Sequence, residues 1–362
     1  MIVLCYLLFG SYAIIIAILI YGFYKVKTFR LPGLKPVNKF TIIVPFRNEA
    51  NNLPVLLQSL SKLNYPTELW QLILVDDDST ETFDLENYGI PFTLIKNKRM
   101  SSSPKKDAIL SAINLVTTDW IITTDADCKV HPDWLLTLDN YIQQHQPEMI
   151  VGAVTYESQN NFLHHFQQLD LASLQGATIG TFGIHKAFMC NGANFAYTKS
   201  VFRELKGFEG NDTIASGDDV FLLQKAIAQS PEKVHYLKAQ NTIVYTKPLD
   251  SWKGLFFQRV RWASKTISYQ STFGKFVAIA VFAGNCSWLI ALAYSFISNS
   301  FFGIPLLILK CAIDYILIQK TNIFLKRQTT HYLLATLVYP FFSTAVALYS
   351  MFGKYEWKGR KF

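Results

Sequence analysis

Three groups of carboxylates carry the chemical promise of this chain: Asp76-Asp77-Asp78-Ser79, Asp125-Ala126-Asp127 and Gly217-Asp218-Asp219. Two carboxylates separated by one small residue can both point at one hard divalent cation. Mg²⁺ or Mn²⁺ takes such oxygen ligands together with substrate phosphates. A solvated turn accounts equally well for Asp76-Asp77-Asp78 taken alone, and an isolated D-x-D is common in turns. Three acidic groups near one sheet edge would nevertheless repel one another unless something positive sat among them, and a metal or catalysis explains that cost better than chance. Other chemistries lack their fingerprints. No G-x-G-x-x-G follows the first β-like run and no G-x-x-x-x-G-K-[ST] occurs, so the usual signatures of dinucleotide oxidoreductases and P-loop NTPases are missing. Cys5, Cys128, Cys190, Cys286 and Cys311 form no C-x-x-C pair, which speaks against a disulfide framework or structural zinc. Cys128 and Cys190 read as small apolar fillers, and His164, His165, His185 and His235 as surface or packing residues.

The acidic groups need elements to hold them. Between residues 40 and 250 short β-branched runs alternate with amphipathic stretches, the pattern of an α/β domain with a mainly parallel sheet. Strands are expected at 40–44, 72–75, 92–95 and 120–124. Helices are expected at 49–63, where Leu53, Leu56, Leu57 and Leu60 share a face, and after a cap at Asp107, with Ile109, Ala112, Ile113 and Val116 inward. Ser101-Ser102-Ser103-Pro104 reads as a flexible loop. In such sheets ligands bind beyond the carboxyl ends of the strands, which is where the first two acidic groups fall.

On either side the composition turns to membrane. Of 362 residues 50% are hydrophobic and 17% charged, and the mean hydropathy is +0.19. The net charge of +8 suits an anionic membrane surface better than nucleic acid. Residues 1–24 carry no charge and are long enough to span a bilayer as an anchor, and Lys25, Lys27, Arg30, Lys35 and Lys39 follow, which places the next domain in the cytoplasm. Residues 251–272 mix Trp252, Phe256, Phe257 and Trp262 with Lys253, Arg259, Arg261 and Lys265, an amphipathic composition that lies on a membrane surface. Residues 273–353 are expected to form further membrane helices at 276–296, 301–318 and 331–352, with Lys310 and Asp314 paired four residues apart. Three crossings would put the basic tail at 354–362 outside, against the positive-inside tendency; either one segment does not cross or the charge rule is overruled.

Taken in order, the motifs resemble those of membrane-bound family 2 glycosyltransferases, such as ceramide glucosyltransferases and processive polysaccharide synthases. The likeness runs from Thr41 to about Lys265. Thr41-Ile42-Ile43-Val44-Pro45-Phe46-Arg47-Asn48-Glu49 is similar to the family's opening strand and nucleotide loop, and Val75-Asp76-Asp77-Asp78-Ser79 to its second nucleotide motif, where the family usually has Gly in place of Asp78. Lys105-Lys106-Asp107-Ala108 resembles the basic segment before the next helix, Asp125-Ala126-Asp127 the D-x-D, Asn191-Gly192-Ala193-Asn194 a substrate-side loop, Gly217-Asp218-Asp219 the catalytic-base motif, and Gln258-Arg259-Val260-Arg261-Trp262 the Q-x-x-R-W.

The resemblance implies a GT-A type nucleotide-sugar-binding domain, with transmembrane helices at both ends, that transfers a sugar with inversion from a nucleotide-sugar donor, a UDP-sugar being the commoner case, to a membrane lipid. Mg²⁺ or Mn²⁺ held by Asp127, with Asp125 behind it, would stabilise the departing diphosphate. Asp219, with Asp218 second, would take the acceptor proton. Pro45, Arg47, Asn48, Glu49, Asp76, Asp77, Lys106, Asp125, Gly192 and Asn194 would line the donor site, while Gln258, Arg261 and Trp262 would serve the diphosphate and acceptor. The expected partners are the donor, a lipid or polysaccharide acceptor and the membrane, without nucleic acid, and the expected location is a bacterial plasma membrane with several crossings and a cytoplasmic catalytic domain. Polysaccharide synthesis is the alternative activity. A transporter or a non-catalytic nucleotide-sugar-binding protein, favoured only by Lys310 and Asp314, is the alternative of another class.

Overall fold

A computed structural model describes residues 2–82, 88–157, 160–211, 214, 216–299, 301–353, 356–357 and 360–361. The chain forms α1 (Ile2–Lys25), β1 (Phe40–Phe46), α2 (Leu53–Leu60), β2 (Trp70–Asp76), β3 (Phe92–Lys96), α3 (Pro104–Ile113), β4 (Trp120–Thr123) and β5 (Cys128–Lys129). There follow α4 (Trp134–His145), β6 (Met149–Val151), β7 (Val154–Tyr156), α5 (Phe162–Gly183), β8 (Phe195–Thr198), α6 (Lys199–Glu204), α7 (Val220–Gln229), β9 (Val234–Tyr236) and β10 (Val244–Thr246). The last helices are α8 (Trp252–Ser264), α9 (Thr272–Ile297), α10 (Ile304–Leu325) and α11 (Tyr332–Phe352). Two compact units result. One contains residues 27–157 and 189–247; the other contains 1–26, 158–188 and 248–362.

The α/β unit is built on a seven-stranded sheet in the order β3-β2-β1-β4-β8-β6-β9. β1, β2, β3 and β4 run parallel, β8 is antiparallel to both β4 and β6, and β9 is parallel to β6. The register pairs Phe40 with Trp70 and Trp120, and Phe46 with Asp76, so β1 and β2 end together, while β4 runs the same way and stops at Thr123 opposite Ile43. β1 lies between two parallel neighbours, which is why Phe40, Ile42, Ile43 and Val44 are fully buried and the run reads as continuously apolar. Leu53, Leu56, Leu57 and Leu60 of α2 cover it, each contributing roughly 1.5–3 kcal/mol of burial. A small sheet, β5-β10-β7, stands beside the main one.

Several boundaries differ from the sequence reading for local reasons. The helix expected from residue 49 starts at Leu53, because Asn48 turns with φ 52° and Pro54 supplies a helix start. Asp107 is not a cap. It lies in the first turn of α3, and its carboxylate accepts from the Met100 and Ser101 amides and the Ser101 hydroxyl. Those bonds pin the 101–104 loop that composition marks as flexible, and Ser103 is fully buried.

The second unit is helical. α1, α9 and α11 are long and apolar enough to cross a bilayer, over Cys5–Lys25, Thr272–Ile297 and Tyr332–Phe352. α10 continues to Leu325, past Lys320. The Lys310 ammonium meets Asp314 Oδ2 at 2.6 Å and the Tyr12 hydroxyl at 3.3 Å, so the expected ion pair exists and ties α10 to α1. α1 also crosses α5 at backbone contact: a methyl group added at Gly22 would collide with the Gly180 carbonyl, and one at Gly183 with the Gly22 carbonyl. In the tail, Glu356–Trp357 pairs antiparallel with Arg360–Lys361, while Lys354 and Lys358 lie outside the described residues.

Candidate functional site

Because β1, β2 and β3 end in register, the loops after them are neighbours. Arg47 donates to the Asp77 carbonyl at 2.7 Å and to the Asp78 carbonyl, and faces the Asp78 carboxylate at 3.6 Å. Asn48 donates its amide to Ser79 Oγ at 3.0 Å and accepts the Thr80 amide at 2.9 Å, while Asp76 Oδ1 accepts the Ser79 amide. The two expected nucleotide loops are thus latched to each other. Asp77 is buried and receives Asn97 Nδ2 at 2.7 Å and Arg99 Nε at 3.2 Å. Asp78 has φ 62°, a conformation in which glycine is least strained. Pro45 stands opposite Val75 in the sheet, and Glu49 accepts from Asn52 Nδ2 at 2.6 Å.

The other two acidic groups meet across a lysine. Lys105 Nζ lies 2.7 Å from Asp125 Oδ1 and 3.3 Å from Asp218 Oδ2. Burial would lower the ammonium's pKa, but Asp125 and then Asp218 overcome it and hold the group above its ordinary range, so it stays charged. The positive group that three neighbouring carboxylate clusters demand is therefore partly supplied by the chain itself. Gly192 is the close-approach position: a Cβ there would come within 2.9 Å of Asp218 Oδ2 and 3.1 Å of Lys105 Nζ. Asp219 caps α7, with Oδ1 accepting the Val220 amide at 2.7 Å and Oδ2 the Gly192 amide at 2.8 Å. Tyr197, fully buried on β8, keeps its phenol well above the usual range through burial and then through Asp218.

Among the described residues no three His, Cys, Asp or Glu side chains converge as a ready metal cluster. The donor set still fits a hard cation. Asp125 is 40% exposed and Asp127 is partly exposed, both offer oxygen, and a cation bound there would complete its shell with phosphate oxygens and water. Asp127 is oriented by Thr246 Oγ1 at 3.1 Å and by the Cys128 thiol at 3.7 Å. Burial, then Asp127, pushes the Cys128 thiol up, so it remains a donor.

Two expected donor-site residues have other work. Lys106 is buried and donates to the Asn211 and Ile214 carbonyls at 2.5 and 2.9 Å, holding the segment ahead of Gly217. Asn194 is also buried. It donates to the Ala153 and Thr242 carbonyls and receives Trp134 Nε1. Lys105 and Tyr197 are not among the site residues expected from sequence, although Lys105 stands in the basic Lys105-Lys106 segment and a carboxylate pair in need of a counter-charge also points to a lysine. Gln258, Arg261 and Trp262 lie on α8, in the helical unit.

Lys105→Gln leaves Asp125 and Asp218 without their shared cation. The expected result is a loss of roughly 1–3 kcal/mol in metal-free buffer, regained when Mn²⁺ is added, as read by thermal melting. A melting temperature equal to that of the parent chain without metal would refute the bridging role.

Residues 41–206 match the family model described as glycosyl transferase family 2. An undecaprenyl-phosphate 4-deoxy-4-formamido-L-arabinose transferase of Photorhabdus laumondii is 33% identical over 111 residues, covering 28% of this chain and 33% of that protein. A Yersinia pestis protein of the same name is 28% identical over 137 residues, 35% of this chain and 40% of its own. The chain thus matches a third to two fifths of the length of these relatives. A mannosyltransferase from Pyrobaculum calidifontis, solved with GDP-Man and Mn²⁺, shares the fold with a TM-score of 0.60 at 17% identity, over 94% of this chain and 98% of the other. Over residues 41–206 the chain is thus similar to glycosyl transferase family 2, and its fold is the GT-A type with candidate membrane helices at both ends.

Proposed function

We propose that this protein transfers a sugar, with inversion, from a nucleotide-sugar donor to a lipid phosphate at the cytoplasmic face of a bacterial plasma membrane, as a multi-pass enzyme. The observation that carries this reading is the meeting of Asp125, Asp218 and Asp219 around Lys105 and Gly192, at the sheet edge where the paired loops after β1 and β2 also end. The relatives, named as undecaprenyl-phosphate transferases, suggest the acceptor class, and the basic run after α1 suggests the orientation.

In the reaction, the bond from the anomeric carbon to the donor diphosphate breaks as a bond forms from that carbon to an acceptor oxygen on the opposite face. Asp127 and Asp125 would hold Mg²⁺ or Mn²⁺, which supplies positive charge for the departing diphosphate. Lys105 keeps its proton and offers a second positive charge beside Asp125. Arg47, Asn48, Asp76 and Asp77 shape the cleft for the nucleoside, a UDP-sugar being our assignment. Gly192 leaves room for close approach of the sugar. Glycosyl acceptors differ in one respect that matters here. A phosphate is ionised near neutral pH, with its second pKa at about 6, and needs no base. A lipid hydroxyl would need Asp219, or Asp218 beside it, to take its proton.

The test uses the full chain purified into lipid bilayers, radiolabelled UDP- and GDP-sugars, Mn²⁺ and a polyprenyl phosphate. Label is expected in the lipid extract in an acid-labile glycosyl phosphate, and lost with chelator. Label in insoluble polymer would replace the proposal with polysaccharide synthesis, and nucleotide binding without turnover would replace it with a non-catalytic role.

A further inference from the structure

The helix that bears Gln258, Arg261 and Trp262 is held by residues that belong to none of the motifs. Within the helical unit, α5 presents a buried polar stripe at a spacing of three residues. His164 Nε2 meets Asp250 Oδ1 at 2.9 Å, and Gln167 both donates to the Leu249 carbonyl at 2.8 Å and accepts the Leu249 amide at 2.9 Å. One turn on, Asp170 Oδ2 receives Arg259 Nε at 2.5 Å, with both side chains only 6% exposed. Side chains at positions i and i+3 lie on neighbouring parts of one helix face, so His164, Gln167 and Asp170, spread over less than two turns of α5, grip the entry and middle of α8. Ser251 caps α8 from inside this grip, its hydroxyl accepting the Gly254 amide at 3.1 Å.

Arg259 does more than close an ion pair. Its NH1 donates to Gln258 Oε1, and its guanidinium lies 4.2 Å from the centre of the Trp262 ring. One planar cation therefore touches two of the motif's named side chains while Asp170 fixes its far edge. A guanidinium can do this because its donors form a rigid fork and its face stacks on an aromatic ring.

We infer that Asp170 and Arg259 are a positioning pair that sets the rotamers of Gln258 and Trp262. The inference rests on the transferase reading for its catalytic consequence, though not for its geometry. Arg259→Lys is the informative variant: it keeps the charge opposite Asp170 but lacks the fork that reaches Gln258 and the plane that stacks on Trp262. Asp170→Asn is less informative on its own, since it strands a buried guanidinium and threatens folding.

The experiment uses the full chain in lipid bilayers with 5-fluorotryptophan incorporated and the Trp262 signal identified through Trp262→Phe. In Arg259→Lys the Trp262 ¹⁹F resonance is expected to shift or broaden, the melting temperature to stay within a few degrees of the parent, and kcat to fall about 10- to 100-fold with the donor KM unchanged. An unmoved Trp262 resonance overturns the inference, as does an unchanged kcat in an active enzyme. A kcat that falls only in proportion to the unfolded fraction also overturns it, because that is a packing effect. Should the parent chain transfer no sugar, a moved resonance retains the positioning pair and defeats the transferase reading alone.

Discussion

Asp127→Asn is expected to lower kcat about 1,000-fold, whereas Asp219→Asn is expected to cost only about 10- to 100-fold when the acceptor is a lipid phosphate. The contrast follows from what each carboxylate touches. Asp127 is partly exposed, and the Thr246 hydroxyl and the Cys128 thiol, both neutral donors, aim its carboxylate. An amide there keeps those contacts and loses the charge a divalent cation needs, so the loss falls on the chemical step. Asp219 has each oxygen bonded to a main-chain amide, from Val220 and Gly192. An Asn side chain can accept only one of these, because its NH₂ group faces the other donor. The misplaced Gly192 loop then costs roughly 1–3 kcal/mol of stability and moves the sugar pocket slightly. With a hydroxyl acceptor the same substitution would also remove the base, worth up to about 10⁴-fold. Steady-state rates with a matched polyprenol and polyprenyl phosphate, alongside melting curves, read the two effects separately. A loss of 10³-fold or more with the phosphate would restore Asp219 as a base, and parental rates in Asp127→Asn would remove the cation assignment.

How much of this arrangement is legible in the sequence depends on whether a residue's partners are local. The strands before Arg47, Asp76 and Asp125 are apolar and β-branched, and parallel strands in register point their carboxyl ends the same way, so the acidic groups at those ends are found at one edge without any knowledge of contacts. Lys105 and Lys106 defeat the same logic. They are adjacent on α3, about 100° apart around the helix, and one turns to Asp125 while the other is buried on the Asn211 and Ile214 carbonyls. Nothing in two consecutive lysines tells which is which. Asn194 fails similarly, since a motif position suggests substrate and the structure uses both ends of the side chain to join Ala153, Thr242 and Trp134. The largest omission is α5. Its polar residues His164, Gln167, Gln168 and Asp170 are all buried, so the usual rule that polar residues mark the solvent face erases the helix's true pattern. They are inside because their partners, Leu249, Asp250, Arg259 and Asn322, come from segments far along the chain.

The glycines of α1 offer the sharpest test of that hidden helix. Gly10→Leu and Gly22→Leu make the same chemical change on the same apolar helix, yet their expected effects differ by on the order of 4 kcal/mol. No heavy atom lies within 4 Å of a Cβ placed at Gly10, so a side chain there meets open space and gains the better helix propensity of leucine. At Gly22 the added carbon collides with the Gly180 carbonyl, and Gly183 in turn faces the Gly22 carbonyl. Backbone cannot yield as a flexible side-chain end can, so the two helices must separate along their whole crossing. Separation would also strain the link from Tyr12 to Asp314 and Lys310, since α1 is shared by both contacts. Fluorescence-detected size exclusion after heating in detergent is expected to show Gly10→Leu eluting with the parent and Gly22→Leu aggregated or degraded at every temperature. Equal behaviour of the two variants would mean that α1 does not pack against α5, leaving α5 held to the terminal helices by its polar contacts with Leu249, Arg259 and Asn322.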